Sequence, residues 1–219
     1  MTKTVLSSAL RKVNASRLAL GAAVTAGAVL AGAPAFAADH QDDRARTAEM
    51  ATQNAGRATA DAMIKIAESQ VGITENAAGG GTPFHQWYMS SQRALETVQR
   101  DGGNVQAYAN APWCAMFVSW VGEKAGVRPT AGWDAYTVTW AKWFQDNGRW
   151  GTTAKPGAVV YFSWDDRTVN SIDHMGLVKK DNQNGTITTI EGNTGNGKVE
   201  ERIRPKSQVV GYGYPQYRA

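Results

Sequence analysis

One cysteine, three histidines and a few polar residues in apolar surroundings are the groups in this sequence able to do covalent chemistry. Cys114 is the only cysteine of the 219-residue chain and lies in APWCAMFVSWVGEKAG, residues 111–126, between Trp113 and Trp120. The first turn of a helix, where amide N–H groups and the positive end of the dipole converge, favours a thiolate. A thiol nucleophile needs a base, and that base needs a group to orient its second ring nitrogen. His40 lies in a polar stretch and His85 in an early loop, whereas His174 falls within an alternating strand pattern. The following strand offers Glu191 and, two residues later on the same alternating face, Asn193. Each residue also has a plainer reading. Cys114 sits on the apolar stripe of its helix, where an inert core thiol would sit. A strand histidine is commonly structural, and a strand carboxylate is commonly solvated.

The elements that must position these groups follow from periodicity. Residues 58–71 carry Ala60, Met63, Ile64, Ala67 and Val71 at helical spacing, with Gly72 as a stop. Cys114, Phe117, Val118, Val121 and Ala125 repeat the spacing up to Gly126, and Asn110 and Pro112 suit the start of that helix. A further helix is expected over about 135–147. After Pro156-Gly157 the period changes to two, giving strands at AVVYFSW, IDHMGLVKK, TITTIEGN, KVEERIR and VVGYGY. Helices first and antiparallel strands afterwards make an α+β plan.

The hairpin between the two polar strands decides whether His174 and Glu191 meet. A two-residue Asn184-Gly185 turn sets His174 opposite Gly195, and a four-residue loop over 181–184 sets it opposite Glu191. Both registers keep the pair on one face, but only the longer loop makes them neighbours. Asn-Gly ordinarily favours the tight turn; the chemistry requires the longer loop, which is the expectation here.

The N-terminus indicates the compartment. Lys3, Arg11, Lys12 and Arg17 precede the uncharged run Leu18 to Leu30, and Ala35-Phe36-Ala37 is a small-x-small cleavage signal. Residues 1–37 read as a secretory signal peptide and 38–57 as a polar linker, with one domain over 58–219. The stretch is too rich in Ala and Gly, with Pro34 inside it, for a stable membrane anchor. Removing the signal takes Lys+Arg from 23 to 19 against 19 Asp+Glu, so the formal net charge falls from +4 to zero. A neutral folded chain gives no reason to expect nucleic acid as a partner. A lone cysteine makes no internal disulfide, and a monomer is the default.

With these residues in order, the chain resembles the CHAP family, the cysteine, histidine-dependent amidohydrolase/peptidase domains of the papain-like NlpC/P60 superfamily. The resemblance rests on A-E-S-Q-V-G-I-T-E (67–75), P-W-C-A-M-F-V-S-W (112–120), P-G-A-V-V-Y-F (156–162) followed by D-H-M-G-L-V (173–178), and I-E-G-N-T (190–194). It implies a papain-like fold and a secreted peptidoglycan hydrolase that cuts amide bonds, as an N-acetylmuramoyl-L-alanine amidase or a peptide-bridge endopeptidase. Cys114 would be the nucleophile, His174 the base, Glu191 the orienting group and Asn193 a supporting polar residue. Trp113, beside the thiol, is the expected substrate contact. Trp133, Trp140, Trp143, Trp150 and Trp164 fit either a substrate groove or core packing. The insert between Gly79 and Ala111 is longer than the family leads one to expect and could shape substrate choice. Some relatives bind calcium ahead of the cysteine; DGGNVQAYANA here has one acid, so neither a metal nor a cofactor is expected. A non-catalytic wall-binding protein and an exported papain-like peptidase acting on proteins are the other readings.

Overall fold

Residues 59–218 are described by the structure, a computed structural model. The expected signal peptide, 1–37, and polar linker, 38–57, lie outside the described residues. Among the described residues, six helices precede or flank a sheet: α1 (Ala60–Glu68), α2 (Pro83–Met89), α3 (Gln92–Asp101), α4 (Cys114–Lys124), α5 (Arg128–Ala131) and α6 (Thr137–Asp146), with a 3-10 turn at Val105–Asn110. Hydroxyl caps start the first three, Thr59 accepting from Ala62 N–H, Thr82 from His85 N–H and Ser91 from Ala94 N–H. Helix α4 is buried on nearly every side, from Cys114 through Val118 and on to Val121 and Gly122. Its start carries no side-chain cap; Asn110, expected there, belongs to the preceding 3-10 turn. Among the described residues no helix is long and apolar enough to cross a membrane.

Six antiparallel strands follow: β1 (Trp150–Gly151), β2 (Val159–Phe162), β3 (His174–Asp181), β4 (Thr186–Thr194), β5 (Lys198–Pro205) and β6 (Val209–Gly213), in the order β1-β6-β2-β3-β4-β5. Val159, Tyr161, Met175, Leu177 and Ile190 join the helices in the main core. Their alternates Val160, Phe162, Val178, Ile187 and Tyr212 form a second cluster on the sheet's other face. This is the expected α+β plan: a thiol opens a helix laid against an antiparallel sheet, and a histidine opens one of its strands.

The β3–β4 register corrects the expected loop. Asn182 N–H donates to Thr186 O at 3.1 Å, which leaves Gln183, Asn184 and Gly185 as a three-residue loop with Gln183 at φ 59 and Gly185 at φ 85. Asp181 then faces Ile187 and Lys180 faces Thr188; past a bulge, Val178 faces Thr189 and Leu177 faces Ile190. Neither the two-residue nor the four-residue register holds. Continued toward the site, this register sets Gly176 against Glu191, and His174 lies diagonal to that carboxylate. A Cβ at Gly176 would sit 2.6 Å from Glu191 Cγ. The missing side chain is what lets the carboxylate lean across to the histidine.

Candidate active site

Three elements converge at one end of the sheet. Helix α4 brings Cys114 in its first position, β3 brings His174 in its first position, and β4 brings Glu191. Gly192 allows the approach: a Cβ there would lie 2.6 Å from Phe117 Cβ and 2.8 Å from the Trp113 ring, so only glycine lets β4 touch the start of α4. His174 Nε2 donates to Glu191 Oε2 at 2.9 Å, and Cys114 lines the same hollow as the imidazole, near enough to raise its pKa. With Nε2 committed to the carboxylate, Nδ1 is the nitrogen left for sulfur.

Electrostatics follow from this packing. Burial alone would lower the His174 pKa; the neighbouring Cys114 and the hydrogen-bonded Glu191 outweigh it and raise the value to about 9. Burial would raise that of Glu191, but its bonds to His174 and Arg204 bring it down to about 2. Glu191 is fully buried and saturated with donors. Oε1 accepts from Thr189 Oγ1 at 2.6 Å and Arg204 Nε at 2.9 Å, and Oε2 accepts from Arg204 Nη2 at 2.6 Å besides the histidine.

Two hollows meet at the sulfur. The larger, about 340 Å³, is lined by Cys114, His174, Trp164, Asn193, Gly195 and Arg204. The smaller, about 180 Å³, is more apolar and is lined by Cys114, Tyr108, Met116, Ala135 and Tyr136. Asn193 therefore forms part of the wall, in a left-handed conformation with φ 53, while the orienting bond to the ring comes from Glu191. Trp113 does not reach either hollow. It is 0% exposed, stacks on Phe84 at 5.4 Å between centroids and donates its indole N–H to Glu75 Oε2 at 2.7 Å. The expectation that it meets substrate is corrected: as the residue before α4, its ring turns inward to the core. Trp164 takes the exposed place, 46% accessible and stacked beside His174 with 6.2 Å between ring centroids.

Residues 105–193 match the model of the CHAP domain family. That stretch is similar to a CHAP domain. Cys114, His174, Glu191 and Asn193 all fall within the matched stretch, whereas α1, α2, α3, β5 and β6 lie outside it. Among solved structures, the peptidoglycan hydrolase RipB from Mycobacterium tuberculosis is similar at 17% identity with a TM-score of 0.42, over 76% of this chain and 67% of that one. No curated protein sequence matches.

Several residues that build this site escape sequence reasoning. Arg204 comes from β5, thirteen positions beyond Glu191 in the chain and beside it in the sheet. His85, read as an early loop residue, is buried in α2. Its Nε2 donates to Ala111 O at 3.0 Å and its Nδ1 accepts from Thr82 Oγ1 at 2.7 Å, which anchors the segment leading to Cys114. Burial holds the His85 pKa below its ordinary value, so the ring serves as a neutral strut. Glu75, the last residue of the 67–75 motif, grips Trp113 from the opposite side; the motif itself was the available signal for it.

Proposed function

We propose that this protein is an exported thiol hydrolase that cleaves amide bonds of peptidoglycan, as a muramoyl-alanine amidase or a peptide-bridge endopeptidase. The observation that carries the reading is the imidazole of His174 held between the Cys114 thiol and the Glu191 carboxylate. His174 takes the proton of Cys114, and the sulfur attacks the scissile carbonyl carbon. The C–N bond breaks, the amine leaves with the proton from Nδ1, and a thioester remains on sulfur. Water then attacks the thioester and gives a proton to His174; the acid departs and the thiolate–imidazolium pair returns. The uncapped first turn of α4 leaves the backbone N–H of Cys114 free to stabilise the oxyanion, and a donor of that kind is worth about 3 kcal/mol in the transition state.

The two hollows suit the two parts of such a substrate. The apolar one, bounded by Tyr108 and Met116, fits the small alkyl side chains of a stem peptide. The wider one, with the open face of Trp164, fits a sugar ring. Tyr108 comes from the 80–110 insert, held by its hydroxyl donating to Thr97 Oγ1 at 2.8 Å, so the insert shapes the narrow side. Digestion of defined muropeptides by wild-type and Cys114→Ala protein, read by mass, tests the proposal. Hydrolysis at one amide bond by the wild type and none by the variant is expected. Turnover that persists in Cys114→Ala, or intact muropeptides with the wild type, contradicts it.

A further inference from the structure

We propose that Arg204 is a positioning residue for the reaction: it fixes the Glu191 carboxylate and divides that group's charge between a guanidinium and the His174 imidazole. The inference rests on the thiol mechanism above but is carried by a separate set of contacts. Arg204 reaches both oxygens of Glu191 in a two-pronged grip, Nε to Oε1 at 2.9 Å and Nη2 to Oε2 at 2.6 Å. Nη2 also donates to Thr194 Oγ1 at 3.1 Å, which ties the guanidinium to the end of the same strand. Its plane lies over the rings of Phe162 and Trp164, 5.6 and 5.3 Å from their centroids. Those two rings are the ones stacked beside the imidazole. Guanidinium and imidazole thus lie against one aromatic pair, and the carboxylate bridges them.

The consequence is electrostatic as well as geometric. Oε2 of Glu191 accepts from His174 and Arg204 together. A carboxylate serving the histidine alone would hold the imidazolium as a tight buried pair, which resists giving its proton to the leaving amine. A permanent positive charge on the same oxygen weakens that hold. The other charged groups near the ring do not replace it. Cys114 approaches from α4 as the reaction partner. Asp173, at the mouth, has its carboxylate engaged by the Trp164 backbone N–H at 2.8 Å. Glu200 faces β4 from β5 and is paired with Arg202 at 3.0 Å.

The test is a histidine NMR titration of the whole protein without substrate, in wild type, Arg204→Met and Arg204→Lys, with His174→Gln assigning the signal. Methionine keeps the length and apolar contact of the stem but removes the charge and the fork. The midpoint of His174 is expected to rise by on the order of one pH unit in Arg204→Met, with kcat on muropeptides falling about 10–100-fold and KM little changed. Arg204→Lys keeps the charge, so its midpoint is expected to stay near the wild-type value while kcat is only partly restored. A purely structural role lowers thermal stability and leaves the midpoint in place. A midpoint unmoved or lowered in Arg204→Met, or raised equally in Arg204→Lys, overturns the assignment whether or not muropeptides are cleaved. A wild type that leaves muropeptides intact contradicts the proposed function instead.

Discussion

At the residue scale the site depends on what is missing as much as on what is present. Gly176 and Gly192 are empty places into which Glu191 and the start of α4 fit. Gly176→Ala puts a Cβ 2.6 Å from Glu191 Cγ, a separation that forces the carboxylate off its rotamer. The expected result is a folded protein whose kcat falls about tenfold or more, by analogy with other losses of an orienting partner. Circular dichroism and muropeptide turnover check it, and a variant with full activity would show that the diagonal Glu191 contact has no role in turnover. Cys114, His174 and Glu191 were legible in the sequence because each sits on a periodic pattern and their types form a known chemistry. Arg204 was not, and Trp164 stood only as one of five tryptophans fitting either a groove or the core. An arginine in a charged strand looks like a surface residue until β5 is laid beside β4, and nothing in the sequence separates Trp164 from the other four until β2 is laid beside β3.

At the element scale, the order of helices and strands was readable from the change of period after Pro156-Gly157. The β3–β4 connection was not, because a bulge beside Lys179 and the left-handed Gln183 change the register without changing the alternation near the site. That alternation is why the histidine and glutamate share a face in either register. Trp113 was misread for a related reason: adjacency to the thiol in sequence says nothing of which way a residue outside the helix turns. Its indole N–H, bonded to Glu75, links the α1–α2 connection to the start of α4. Trp113→Phe keeps most of the packing and loses that bond. It is expected to lower stability by about 1–3 kcal/mol, read as a shift in the urea midpoint, with Cys114 still reactive. An unchanged midpoint would show that the Glu75 contact contributes nothing to holding the segment.

At the scale of the whole molecule, the buried pair couples stability to pH from both sides. Glu191 is depressed from 4.5 to about 2, so its contribution is present above the upper value and is lost as pH falls through the lower one. His174 is raised from 6.5 to about 9, so its contribution is full below 6.5 and is lost as pH rises through about 9. Thermal melts of wild type and His174→Gln across that alkaline window are expected to converge as pH rises. Parallel curves would mean that the ring gains no proton affinity from the fold.

The rate of Cys114 alkylation by iodoacetamide against pH reads whether sulfur and imidazole act as one unit. In the wild type the pair shares a proton, so alkylation is expected to be rapid already at neutral pH. In His174→Ala that early reactivity should vanish, leaving a rate that climbs only toward the ordinary thiol range near pH ~8.5. Superimposable profiles for the two proteins would contradict the account.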